Sequence, residues 1–336
     1  MAATMKDIAR KTGLGLATIS KYYNGGQVRP QNRGLIARAA EELHFIPNGV
    51  ARSLRTNRSR SIGIVIPELS NTFITSIISG IEDILRSHDY SVIVCDCRSD
   101  PRLEKEAVTF LVHKRIDGLI NMPTDMTGAH LADALASATP IVLIDRLLSP
   151  MPAGVSAVIV DNAAAARQGT QYLLAHGHRR IGLILGTQGV YTTEKRYEGY
   201  LSALQAAEVP LAADYVRYGD YTVDGGYTAA KLLMSLPDRP SAIFVTNYEM
   251  TLGTILALNE MRIRIPQDLS LFGFDKLDLF GAVYPHLSTI RQPHQEIAQS
   301  ASQEILRLMA GGQNADAYHA ITLNTQLCPG ATVAQP

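Results

Sequence analysis

Residues 1–60 carry eleven Lys and Arg side chains against three carboxylates, Asp7, Glu41 and Glu42. The 336-residue chain holds 31 basic and 31 acidic residues, so the first sixty carry +8 and the remainder, with 20 basic and 28 acidic, carries −8. A neutral total hides a basic head on an acidic body, the electrostatic footprint of a protein that binds a phosphate backbone. A second set of reactive side chains lies downstream, where apolar runs end. It comprises Ser70, Asn71, Phe73, Asp96, Asp145 and Arg146, then Tyr191, Thr192, Arg196, Tyr221, Asn247, Tyr248 and Asp275, with Gln292 nearby. Carboxylates, amides and guanidinium groups mixed with flat rings suit a small polyhydroxylated or heterocyclic ligand.

Enzyme chemistry is poorly supported. There is no Walker A run, no HExxH and no Gly-x-Ser-x-Gly elbow. Gly186-Thr187-Gln188-Gly189 follows an apolar run but lacks the Lys-Ser/Thr of a phosphate loop. His176-Gly177-His178 reads as a surface or capping pair. Cys95, Cys97 and Cys328 lack metal-site spacing and read as free thiols in a reducing cytoplasm. A non-enzyme with no cofactor and no metal is expected. No stretch is long and apolar enough to span a membrane, and the first residues lack a signal core, so a cytoplasmic protein is expected.

The basic head must be positioned by short helices. Patterns fit about Met5 to Lys11, Leu16 to Tyr23 and Gln31 to Leu43, with Gly13 breaking the first and Asn24-Gly25-Gly26 stopping the second. Helix, glycine turn, helix and bracing helix make a helix-turn-helix head, whose second helix enters the major groove by its N-terminal residues. Those are Leu16, Ala17, Ser20 and Lys21. Lys21 can reach a guanine edge or a phosphate; Leu16 and Ala17 can touch a thymine methyl. After Pro47-Asn48, the segment Gly49 to Leu54 is too short to be a stable isolated helix. It orders when something buries Val50, Ala51 and Leu54, and Leu54 is a candidate minor-groove wedge.

From Ser61 apolar strand runs alternate with helices: Ile62–Pro67, Tyr90–Cys95, Gly118–Met122, Ile141–Ile144 and Val155–Val160, then a second series beginning at Arg180–Leu185. This predicts two open α/β lobes with parallel sheets and a ligand cleft between them, beyond the strand ends. The stretch Pro329–Pro336 is small or polar and is expected to fray.

These residues resemble the LacI/GalR family of bacterial transcription regulators over essentially the whole chain. The head matches through Lys6-Asp7-Ile8-Ala9, Ala17-Thr18-Ile19-Ser20-Lys21, Asn24-Gly25, Ala39 to Leu43, Pro47-Asn48 and Ala51-Arg52-Ser53-Leu54. The body matches through Val142 to Arg146, Asp161-Asn162, Gly177 to Ile181, Arg196 to Tyr200, Gly273-Phe274-Asp275 and Ile290 to Pro293. The resemblance implies a helix-turn-helix domain over 1–46 and a hinge helix and linker over 47–60. It also implies a body like periplasmic binding proteins, with one lobe from 61–161 and 292–322 and the other from 162–291 and 323–330. Crossings between lobes are expected near Asp161, Arg291 and Asn324.

It further implies a repressor acting as a homodimer on a near-palindromic double-stranded DNA operator, governed by a small effector, a sugar or sugar acid. The expected DNA contacts are Lys6, Leu16, Ala17, Thr18, Ser20, Lys21, Asn24, Asn32, Arg33, Asn48, Ala51 and Leu54. The expected effector contacts are Asn71, Phe73, Asp145, Tyr191, Arg196, Tyr221, Asn247, Tyr248, Asp275 and Gln292. Departures from the family pattern include Gly15 in place of a capping Ser and Gly49 in the hinge. Asn247-Tyr248 also stands where many sugar binders have Asn-Asp. That last departure admits a less ordinary sugar, a sugar acid or a nucleoside. The alternatives are a corepressor-dependent repressor with a nucleoside- or purine-like ligand, and a solute receptor that regulates no DNA.

Overall fold

The computed structural model describes residues 3–23, 26–45, 58–275, 285–312 and 318–336. The chain divides into two compact units, Met1–Ser59 and Arg60–Pro336. Of the expected contacts, Asn24, Asn48, Ala51 and Leu54 lie outside the described residues, as does the expected hinge helix.

In the first unit, α1 (Met5–Thr12), α2 (Leu16–Tyr23) and α3 (Pro30–Glu42) close on Ile8, Ile19, Ile36 and Ala39. Each helix contributes little more than one fully buried side chain, so Tyr22, Tyr23, Leu43 and Phe45 complete the cluster from its edge. Thr4 and Asp7 close the start of α1, where the Thr4 N–H and hydroxyl both donate to the Asp7 carboxylate, at 2.9 and 2.7 Å. Gly13 ends α1 at φ 70°, a conformation that costs glycine nothing. Pro30 opens α3, where its missing N–H is harmless.

The second unit holds two six-stranded sheets. The strands are β1 (Ser61–Ile66), β2 (Ser91–Asp96), β3 (Gly118–Asn121), β4 (Ile141–Ile144), β5 (Ser156–Val160), β6 (Ile181–Leu185), β7 (Val216–Tyr218), β8 (Ala242–Val245), β9 (Ser270–Phe274), β10 (Ser288–Arg291), β11 (His319–Leu323) and β12 (Gln326–Cys328). The first sheet runs β11-β5-β4-β3-β1-β2, all parallel. The second runs β12-β10-β9-β8-β6-β7, parallel except for β12. The inner strands are buried at nearly every residue, which is why they read as unbroken apolar runs.

Between strands run α4 (Thr72–Ser87), α5 (Pro101–His113), α6 (Ala132–Ala136), α7 (Asn162–Ala175), α8 (Tyr191–Ala206), α9 (Val223–Met234), α10 (Tyr248–Glu260) and α11 (His294–Met309). The chain leaves the first sheet after β5 and returns to it by α11 and β11. It crosses once more, between Leu323 and Gln326, to reach β12. Leu323 completes β11 in the first sheet, so the boundary expected after residue 322 falls one residue later.

The last residues correct the expectation of fraying. Thr332 is buried, accepts from the Ser288 N–H at 2.8 Å and donates to the Leu271 carbonyl at 2.7 Å. The Ala334 N–H donates to the Ser270 hydroxyl at 3.0 Å. Small polar side chains here stitch the chain end onto β9 and β10, a pairing that composition does not reveal. His178 also departs from expectation. It is buried, with Nδ1 2.9 Å from the Ser241 hydroxyl, while His176 caps α7 through the Tyr172 carbonyl.

Candidate functional site

A cavity of about 60 Å³ lies where the strand ends of the two sheets face each other. From the first lobe come Pro67, Glu68, Asn71, Phe73, Ile74, Ser99, Met122, Asp145 and Arg146. From the second come Thr192, Arg196, Asp220, Tyr221, Asn247 and Asp275, and Gln292 comes from the crossing. Ligand pockets for small molecules are usually some 300–1,000 Å³, so this cleft is drawn nearly shut and must open to admit a ligand of that size.

Each wall residue is held from behind. Asn71 caps α4 by accepting from the Ile74 N–H at 3.0 Å, which fixes the helix start and so places Phe73 over the floor. Asp145 and Asp275 directly follow β4 and β9, and both sit at positive φ, 67° and 72°. Aspartate tolerates that conformation better than most residues. Arg146 donates from Nη1 to the Pro123 carbonyl at 2.9 Å. Its guanidinium lies 5.8 Å from the Tyr221 ring centre, so this cation–π contact bridges the lobes. The Tyr221 hydroxyl is shared with Thr192 and Thr193 at 2.7 and 2.6 Å. The Tyr221 ring lies flat on Gly186, where a Cβ would come within 2.0 Å of it. The glycine run that fails as a phosphate loop therefore serves as the bed of an aromatic ring.

Arg196 is almost fully buried. Nε donates to Asn162 at 2.9 Å, Nη1 donates to the Thr246 carbonyl, and the guanidinium stacks 3.8 Å from the Phe274 centroid. Beside it Asp275 accepts from Gln292 Nε2 at 2.7 Å. Burial pushes the Asp275 carboxyl up to about 6, against the pull of Arg196 and Gln292.

Eight of the ten expected effector residues line the cavity: Asn71, Phe73, Asp145, Arg196, Tyr221, Asn247, Asp275 and Gln292. Two do not. Tyr191 opens α8. Its phenol is half-buried and pushed up first by burial and then by the carboxylates of Asp161 and Asp145. Tyr248 opens α10 and packs into the apolar cluster of Ala229, Leu258 and Leu271. Asn247 explains this, because its side chain caps α10 by accepting from the Met250 N–H at 3.0 Å, and the next residue then turns inward. Glu68, Ser99, Met122 and Asp220 line the cavity without having been singled out, as all lie in turns or just past strand ends.

Glu249 was missed too. It accepts from Asn247 Nδ2 at 2.6 Å through Oε2, while Oε1 is buried without a hydrogen bond. Burial raises its carboxyl to about 7. Within that net rise Asp275 and Glu68 reinforce burial, and the Thr72 N–H at the start of α4 opposes it. The folded value lies above the ordinary 4.5, so the contribution of Glu249 to stability is greatest at low pH, falls as pH rises between 4.5 and 7, and stays lower above. Glu249→Gln removes the penalty. The variant should match the parent at pH 4 and exceed it by about 2 kcal/mol at pH 8 in urea unfolding. Equal stability at pH 8 would show that Glu249 ionises freely.

In the first unit, α2 turns Ile19 into the core and exposes Leu16, Ala17 and Lys21. Lys6 and Arg33 are exposed, and Thr18, Ser20 and Asn32 are half-buried. Gly15 sits at the α2 start, its carbonyl accepting from the Thr18 and Ile19 N–H groups, and offers no side-chain cap.

Residues 4–48 match the family of bacterial regulatory proteins, lacI family, and residues 170–333 match a periplasmic binding protein-like domain. The HTH-type transcriptional repressor CytR of Escherichia coli K12 is 32% identical over 311 residues, covering 92% of this chain and 91% of its own. The chain belongs to the lacI family of regulators. The HTH-type transcriptional repressor PurR of Pectobacterium carotovorum is 31% identical, covering 99% of this chain and 97% of its own. The structure of the lac repressor dimer bound to operator and the anti-inducer ONPF superimposes with a TM-score of 0.89 at 26% identity, covering 99% of this chain and all of that one. This lacI-family protein is therefore a DNA-binding transcription regulator with an effector cleft between two lobes, and it is not an enzyme. Among its described residues, no helix is long and apolar enough to cross a membrane.

Proposed function

We propose that this chain is a repressor that binds a near-palindromic DNA operator as a homodimer and changes its operator affinity when a small sugar or sugar derivative occupies the cleft. The carrying observation is the nearly closed cavity, whose walls come from both lobes and are bridged by Arg146 and Tyr221. A ligand seated there touches both lobes, so it binds one lobe arrangement better than another, and that difference is what shifts DNA affinity. Asn71, Phe73, Asp145, Arg196, Tyr221, Asn247, Asp275 and Gln292 contact the effector. Lys6, Leu16, Ala17, Thr18, Ser20, Lys21, Asn32 and Arg33 contact DNA.

A dimer is supported by the likeness to the lac repressor dimer bound to operator, which covers 99% of this chain. Two identical heads read an operator whose half-sites lie about one helical turn apart. Selection of bound sequences from a random DNA pool should return such a palindrome. A single asymmetric half-site bound by one chain would overturn the dimer. Lys21→Ala should weaken operator binding about tenfold or more and lower the salt dependence by about one counterion, leaving effector affinity unchanged. Titrations at several salt concentrations check this, and unaltered operator binding would remove Lys21 from the DNA surface.

A further inference from the structure

The cleft's hydrogen-bonding capacity is lopsided. Four carboxyls line it, Glu68, Asp145, Asp220 and Asp275, against two guanidinium groups, Arg146 and Arg196. Arg196 is largely committed to the protein and Arg146 partly, so the net charge of the lining is what tips the balance toward acceptors. Arg196 gives Nε to Asn162 and Nη1 to Thr246, so only Nη2 lacks a protein acceptor among the described residues. The side-on fork of Nε with Nη2, one of the two ways a guanidinium clamps a carboxylate, is broken. Arg146 gives Nη1 to Pro123, and its buried Nε looks toward Asp145 at 3.5 Å.

The acceptors are in the opposite condition. Glu68 and Asp220 accept no hydrogen bond from a described residue, and Asp145 meets only the sidelong approach of Arg146. Gln292 is 1% exposed and lines the cavity. Its amide nitrogen is spent on Asp275, and its Oε1 is buried without any donor. A buried acceptor in that state lacks something that donates. Asp275 is buried beside Asp145, and burial holds its carboxyl near 6 against the pull of Arg196 and Gln292, so a donor reaching it would be welcome there.

We infer that the effector is rich in hydrogen-bond donors and carries no acidic group: a polyol, sugar or nucleoside whose hydroxyls or amino groups meet Asp275, Gln292 and Asp145. A protonated amine improves binding, and a carboxylate or phosphate prevents it. This rests on the reading of the cleft as the effector site and narrows it, turning away from the sugar acid that the sequence leaves open. The exposed carboxylates Glu68 and Asp220 act as a screen at the mouth, repelling anions before they reach the floor.

The test uses the full chain and sets of compounds matched in skeleton, titrated by calorimetry at pH 7. One set is D-glucose, D-glucosamine, D-glucuronate and D-glucose 6-phosphate. Equivalent sets are built on D-galactose and D-ribose, and cytidine and adenosine are each paired with their 5′-monophosphates. Within the set that binds, the acidic members should bind at least tenfold more weakly than the neutral member, and the amine at least as tightly as it. Glu68→Gln combined with Asp220→Asn, two exposed changes, should narrow that gap. An acidic or phosphorylated member binding as tightly as its neutral partner overturns the ligand class and leaves the cleft as the effector site. Silence from every set overturns the cleft reading itself.

Discussion

Arg196→Ala will abolish the effector response while operator binding persists. The substitution removes the Nη2 donor left without a protein acceptor among the described residues, the stack on Phe274 and the cation beside Asp275. Effector affinity should fall by about a hundredfold or more, as buried arginine anchors do when truncated. The body should lose about 2 kcal/mol because the Thr246 carbonyl and Asn162 amide lose a buried donor, yet remain folded. Arg196→Lys keeps the charge but not the planar fork, so it should fall between parent and alanine variant. Operator titration across effector concentrations decides the matter. A normal dose response in the alanine variant would place Arg196 outside the site.

Gly253→Ala should be the most destabilising of the single substitutions considered. Gly253 on α10 lies against the backbone of α9, and a Cβ there would sit 1.9 Å from the Val223 carbonyl oxygen and 2.7 Å from the Tyr227 nitrogen. Gly226 makes the reciprocal approach, where a Cβ would be 2.3 Å from the Met250 carbonyl. The clash is with backbone, which no rotamer relieves, so the two helices must separate and open the cluster of Ala229, Ala230, Ala257 and Leu258. The expected cost is about 3 kcal/mol or more. Urea unfolding of the full chain measures it, and a midpoint unchanged from the parent would mean that α9 and α10 slide apart freely.

The sequence made the strand ends legible because buried parallel strands are apolar on both faces and stop abruptly at polar residues. Asp145, Asn247 and Asp275 stand at or just past such stops and Asn71 caps the helix that follows β1, and all four line the cleft. Side-chain direction was less legible. Tyr248 looks like a strand-end aromatic until Asn247 is seen to cap α10, which sends the ring into the core. Tyr191 looks like a loop residue until α8 is seen to begin with it. Glu68 and Asp220 lie in turns with no periodicity to single them out. Glu249 is one residue inside a helix, and only the three-dimensional packing that buries it, with Asp275 and Glu68 nearby, makes its environment unusual. The docking of Thr332 on β9 and β10 depends on partners 44 and 61 residues away, beyond the reach of any local pattern.

The threefold passage of the chain between lobes also bears on how the protein is made. The first lobe takes Ile297, Ala298, Ala301 and Ile305 of α11 into its core and β11 as its edge strand; the second takes β10, β12 and the Thr332 stitch. A ribosome delivers all of these after everything else in the body. The head, complete in its own first stretch of chain, can fold as soon as it emerges. Both lobes wait, each with an apolar face open, until residues 288–332 have emerged. The body therefore completes its folding well after the head. A nascent chain stalled before β10 would carry a finished head on two unfinished lobes.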